Sequence, residues 1–247
     1  MADRYDRLST LISRFDLRVS GAMPGEGNMA VFGDPATGAP VRVEIRTRDG
    51  VPTAGVGEVP LAACLIDWGG AANPLMAALP TVVSLPVRDD ETRALLDVFL
   101  AEAAARRCGA DKVLDRLAEV LVIRLMRQRI EMGASEPGVL AGLAHARLSR
   151  VISALHDDPG RTWSNADLAA VAGMSRSRFA DIFRAVVGET PQSYLRRWRM
   201  TLARQDIDRG ARIQAVARRY GYASSEALAR AFNRQYGINP TELRRAG

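Results

Sequence analysis

Arg176, Ser177, Arg178, Asp181 and Arg184 fall within nine residues of one another, and Ser225, Glu226, Arg230 and Arg234 within ten. A guanidinium is a planar fork of donors that matches the two acceptors of a guanine edge or a pair of phosphate oxygens. A carboxylate can accept from the amino group of cytosine, and a short hydroxyl fits close to any base edge. Both clusters are therefore composed for contact with a polyanionic duplex. Catalytic chemistry has no comparable constellation. No phosphate loop, dinucleotide fingerprint, nucleophile elbow or His-Glu metalloenzyme spacing occurs, so the chain does not read as an enzyme.

The two clusters sit inside a degenerate repeat. Leu168-Ala-Ala-Val-Ala-Gly173-Met174, continuing to Phe179 and Phe183, matches Val216-Ala-Arg-Arg-Tyr-Gly221-Tyr222, continuing to Leu228 and Phe232. The offset is 48 residues up to the glycines and 49 beyond them, where Gly188-Glu-Thr-Pro191 matches Gly237-Ile-Asn-Pro240. Repetition at this period means one supersecondary unit used twice. Each copy predicts a helix-turn-helix, over about 165–187 and 213–236, with reading helices at about 175–187 and 224–236. Ser164 and Asp167 have the spacing of a capping box, Gly173 suits a left-handed helix end, and Ser175 and Ser224 or Ser225 are the next caps. Thr190-Pro191 and Asn239-Pro240 then start the following helices, because proline needs no N–H partner in a first turn.

Residues 191–208 predict one long helix between the copies, with Tyr194, Leu195, Trp198, Leu202 and Ile207 inward and Arg196, Arg197, Arg199 and Arg204 on the other side. At about 1.5 Å per residue it spans about 27 Å. That approaches the roughly 34 Å between successive major-groove segments on one face of DNA.

Charge divides the chain. Of the net +6 carried by 247 residues, positions 1–137 contribute −3 and 138–247 contribute +9. Every basic residue except Lys112 is an arginine. An acidic half joined to a basic one predicts a polyanion-binding domain carried by something else. The composition, 47% hydrophobic and 25% charged, excludes a disordered chain, and no apolar run approaches the roughly 18 residues of a membrane span. The mixed-charge start lacks a signal core, so the expected location is the cytoplasm, without a membrane partner.

Positions 1–137 read as α+β. A short amphipathic helix is expected over 2–15 and a small antiparallel sheet over 17–67, with strands at 41–46, 61–68 and 81–87 and a short helix at 73–79. Two long helices follow, at about 89–107 and 110–132. The second is apolar enough to serve either as core or as a dimer seam. Residues 133–138 are small and breaker-rich, hence the domain boundary at 137/138. His145 and His156, eleven residues apart with no cysteine or carboxylate cluster, read as packing or surface residues rather than ligands. Cys64 lies in an apolar strand, and Cys108 follows Arg106-Arg107, which leaves a redox-sensing role as an alternative.

Residues from about 148 to 245 resemble the DNA-binding domain of AraC/XylS-type transcription regulators. The matching segments are Leu168 to Ser175, Gly188-x-x-Pro191-x-x-Tyr194-Leu195, Arg197-Trp-Arg-Met-x-x-Ala203, Val216 to Phe232 and Gly237-Ile-Asn-Pro240. The N-terminal half is similar to the shortened cupin-like domain that precedes this module, through Asp67-Trp-Gly-Gly-Ala-Ala-Asn73-Pro74-Leu75, Ala78-Leu79-Pro80 and Ala110 to Val120. The resemblance implies a sequence-specific bacterial regulator with double-stranded promoter DNA and RNA polymerase as partners. It also implies a homodimer through the N-terminal domain, with helices 89–107 and 110–132 as the seam, and a small-molecule effector bound there. Relatives carry histidines near the start of a longer barrel. This chain has none in its first 144 residues, so neither a metal nor a cofactor is expected. A nucleoid-type DNA-binding protein is the other reading.

Overall fold

A computed structural model describes residues 18–23, 25–48, 50–67, 79–105, 107–131 and 137–246. The helices expected over 2–15 and 73–79 fall outside these residues, apart from Leu79, as does most of the 133–138 segment. The chain forms two compact units, residues 15–136 and 137–247.

In the first unit, five strands form one antiparallel sheet: β1 (Arg18–Ala22), β2 (Met29–Gly33), β3 (Pro40–Arg46), β4 (Val59–Asp67) and β5 (Val82–Pro86), in the order β1-β4-β2-β3-β5. The continuous run Met29-Ala-Val-Phe is buried throughout, as befits a strand covered on both faces. On β3, Val43 and Ile45 enter the core while Arg42, Glu44 and Arg46 line the other face. Glu44 is nearly buried there because Arg42 reaches it at 2.5 Å and Arg46 at 2.8 Å. Arg42 also binds Glu58, whose carboxyl is held below its ordinary range by that guanidinium. Asn28 fixes the register of β4 by donating to the Ile66 carbonyl and accepting from its N–H.

Helices α1 (Asp90–Ala105) and α2 (Ala110–Glu131) pack as an antiparallel pair, joined by a turn at Gly109. The Asp89 carboxylate caps α1 by accepting from Thr92 N–H at 2.7 Å. Arg124 of α2 reaches Asp89 and Glu91 and ties the pair together. Asp115 accepts from Val19 N–H at 2.6 Å, anchoring α2 to β1. α1 begins one residue later than the periodicity suggests, and Arg107 lies outside it. Cys64 is buried in β4, which pushes its thiol up to about 12. The reactive thiolate is thereby suppressed near neutral pH, which disfavours the redox alternative at that residue. Cys108 is exposed beside Gly109.

The second unit is helical: α3 (Val139–Ala144), α4 (Leu148–Asp157), α5 (Asn165–Ala172), α6 (Arg176–Val187), α7 (Pro191–Asp208), α8 (Ile213–Arg219), α9 (Ser225–Tyr236) and α10 (Pro240–Ala246). Leu148, Val151, Ile152 and Leu155 of α4 join Phe179, Phe183, Tyr194 and Trp198 in its core. His156 belongs to that core. It lies 2.6 Å from the Tyr194 hydroxyl and against the Trp198 ring. His145 Nδ1 accepts from the N–H groups of Arg147 and Leu148 and so starts α4. Among the described residues no helix is long and apolar enough to cross a membrane.

Candidate nucleic-acid interface

Local sequence builds both helix-turn-helix units in the same way. Ser164 Oγ accepts from Asp167 N–H while the Asp167 carboxylate takes the Ser164 N–H, a reciprocal cap on α5. The Ser164 hydroxyl, donating to that carboxylate at 2.7 Å, and then the Ser164 N–H hold the Asp167 carboxyl below its usual range. Gly173 ends α5 at φ +63°, and the chain turns directly into α6. Ser175 stands at the start of α6, but its side chain makes no capping bond. In the second unit Ser224, not Ser225, caps α9 by accepting from Ala227 N–H. Here the left-handed residue is Gly221 at φ +73°, one position beyond the cap of α8.

Apolar side chains fix which face of each reading helix is left outside. Phe179, Phe183 and Val187 are buried on α6, and Leu228, Ala231 and Phe232 on α9. Ile182, Val186 and Tyr236 are only partly covered, at the edges of those faces. The remaining faces carry the expected residues. Arg176, Ser177, Arg178, Asp181 and Arg184 are exposed on α6, and Glu226, Arg230 and Arg234 on α9, with Ser225 partly covered. Among the described residues, none of these five arginines forms an ion pair within 4 Å. Arg230 stands one turn after Glu226 on the same face, and its charge helps to lower the Glu226 carboxyl, after the larger effect of the Ser224 hydroxyl.

The arginines of α7 behave differently from the sequence expectation of one shared basic side. Arg197 is paired with Glu189 through Nη2 and Nε at 2.5 and 3.0 Å. Arg204 lies over the Tyr236 ring and near Asp208. Arg199 donates to the Pro159 carbonyl at 2.6 Å and the Arg161 carbonyl at 2.8 Å, and burial pulls its guanidinium below its ordinary range. Arg196 is left as the exposed cation of this group. The reason is geometric: a helix has one outward stripe, and the others are held by Glu189, by α9 or by the 158–161 loop.

That loop, just before α5, ties the two helix-turn-helix units together. Gly160 and Gly221 approach backbone to backbone, so a side chain on either would meet the other segment's carbonyl or its neighbour's. Arg199 crosses the same junction. With the stiff α7, these contacts hold the two reading helices in one body. Asn233 is exposed beside Arg230 and Arg234 around a shallow hollow; residue type and periodicity place it on that outward face but not among the contact candidates. Its position seven residues after Glu226, on the same helix face, could have marked it.

Residues 168–246 match the family described as a helix-turn-helix domain, and residues 21–131 match a cupin. An AraC-like transcription regulator of Streptomyces lividans is 34% identical over 222 residues, covering 86% of this chain and 73% of that protein. Another from Streptomyces antibioticus is 35% identical over 210 residues, covering 81% and 68%. Among solved structures, the DNA-binding domain of AdpA in complex with a target DNA is 30% identical, covering 41% of this chain and 93% of that one, with a TM-score of 0.40. Two like-built helix-turn-helix units following a cupin-type sheet, with the two Streptomyces relatives along most of the length, have one family in common: the chain belongs to the AraC-like, DNA-binding transcription regulators.

Proposed function

We propose that α6 and α9 enter successive major-groove segments of promoter DNA, with Arg176, Ser177, Arg178, Asp181 and Arg184 contacting one segment and Ser225, Glu226, Arg230 and Arg234 the other. The observation that carries this reading is a set of five exposed arginines that form no ion pair among the described residues, divided between two helices joined by one stiff helix. Phosphate contacts supply affinity that falls with salt, and base contacts supply preference. Selection of bound fragments from genomic DNA tests the assignment, with a few defined sites expected; uniform coating would favour the nucleoid-type reading. On a selected site, Arg230→Ala is expected to cost about 1–3 kcal/mol of binding and to relax preference at one base pair. Equal loss on all sequences, with a shallower salt slope, would make Arg230 a phosphate contact instead.

Residues 1–137 are proposed as the controlling half, where a small-molecule effector acts, and 138–247 as the DNA-binding half, which works with RNA polymerase at the promoter. Homodimerisation through α1 and α2 is supported by exposed Val98, Val113 and Val120, the last two spaced two turns apart on α2. A dimer engages two sites and gains affinity through effective concentration. Sedimentation of the full chain should show a dimer that Val113→Arg with Val120→Arg dissociates; a monomer at every concentration removes the proposal.

A further inference from the structure

The sheet and the helix pair of the first unit enclose a half-open cavity of about 840 Å³ that no capping, pairing or DNA-contact role uses. Its floor is Phe99 of α1 and Cys64 of β4, both buried. Leu61, Ala103 and Leu114 contribute apolar walls. The small side chains along α1 and β4 are what keep the space open, since larger ones at Ala103 or Ala63 would fill it.

Charge around this cavity is one-sided. Among the described residues that line it, Glu26, Glu102 and Asp111 stand against the one guanidinium of Arg107. Glu102 is the informative member. Its side chain is only 12% exposed, yet its one ion pair among the described residues is to Arg107 at 3.7 Å, beyond hydrogen-bond distance. Arg107 itself is 69% exposed and so lies mostly in solvent. A carboxylate set against an apolar wall, without a close donor, gains most from a cation that is cheap to dehydrate. Delocalised or alkylated cations meet that condition better than a compact ammonium, because their charge is weakly hydrated. Among the described lining residues an anion would face three carboxylates for one guanidinium.

We propose that this cavity binds an organic cation with a bulky apolar body, its charge beside Glu102 and its body against Phe99 and Leu61. The assignment rests on the reading of the N-terminal half as the effector-sensing one and supplies the chemistry of the effector. A ligand held between β4 and the α1–α2 pair would touch both layers of this unit. Binding would therefore stiffen the helix pair relative to the sheet.

The experiment uses the full chain and two xanthene dyes of similar framework, cationic rhodamine 6G and anionic carboxyfluorescein, with fluorescence anisotropy as readout. Rhodamine 6G is expected to bind with one site per chain and carboxyfluorescein not to bind. Glu102→Gln should weaken rhodamine 6G about tenfold, the scale of one lost charge partner in a partly buried setting. Ala103→Trp, which fills the cavity without touching its charge, should abolish binding while the thermal midpoint stays near that of the parent. Equal binding of the two dyes, no binding of rhodamine 6G, or unchanged binding in Ala103→Trp would each overturn the site. Anisotropy of a labelled selected DNA fragment, run in parallel, separates the two readings. Dye bound at this site with unchanged DNA affinity keeps the site and removes the sensing role; intact DNA binding without dye binding removes only the site.

Discussion

Gly221→Val is expected to destabilise the second helix-turn-helix by about 3 kcal/mol or more and to eliminate specific DNA binding. Two independent costs combine at this position. The backbone has φ +73°, where a β-branched residue is strained. A Cβ would also lie 2.5 Å from the Gly160 carbonyl oxygen, a backbone atom in a loop whose flanking Pro159 and Arg161 carbonyls are held by Arg199, so it cannot shift freely. Gly173→Ala provides the internal comparison. It has a similar φ of +63° but nothing within 4 Å of its Cβ, so only the backbone cost of about 1 kcal/mol applies. Urea unfolding of the two variants, each beside the parent, measures the difference. Equal losses would mean that the Gly160–Gly221 approach is not a constraint, and that the two units are not held together there.

Arg199→Ala is expected to lose about 2 kcal/mol of stability and to weaken binding at a full two-segment site at least tenfold. The substitution removes two charge-assisted hydrogen bonds and leaves the Pro159 and Arg161 carbonyls without that donor. Arg199→Lys should recover little, because a point-charge ammonium cannot span two carbonyls as the fork does. The loop held by Arg199 carries Gly160, so its release loosens the junction on which the spacing of α6 and α9 depends. Unfolding midpoints and binding at full and half sites are the measurements. The decisive comparison is with Arg196→Ala, exposed on the same helix. That variant should leave the midpoint unchanged, weaken binding alike on every sequence and lower the salt slope. If Arg199→Ala gives the same pattern as Arg196→Ala, Arg199 is a phosphate contact and the clamp is wrong.

Much of the DNA-binding half is legible in one dimension because its signals are local. A capping box needs only Ser164 and Asp167 at the right spacing, a left-handed turn needs Gly173, and an outward face follows from where Phe179 and Phe183 must go. The boundary between Thr190 and Pro191 is equally local, with the Thr190 hydroxyl accepting from Ser193 N–H. The N-terminal half is less legible for the opposite reason. The strand order β1-β4-β2-β3-β5 depends on pairings such as Val19 with Ile66 and Met29 with Cys64, and a period-two pattern marks a strand without naming its partner. Alternation on β3 places Glu44 on the polar face, but its burial depends on Arg42 and Arg46 closing over it.

The division for the candidate site follows the same physics. By itself the sequence determined that there are two helix-turn-helix units, which residues their reading helices present, and that the basic charge lies in that half. These are consequences of short-range periodicity, caps and composition. Tertiary structure alone decided which arginines remain available: Arg197, Arg199 and Arg204 have partners that come from eight residues away or more, or from another helix. It alone opened the cavity between sheet and helices and set Glu102 beside it with no close donor among the described residues. Availability and emptiness are properties of what surrounds a side chain, and those surroundings exist only once distant segments have been brought together.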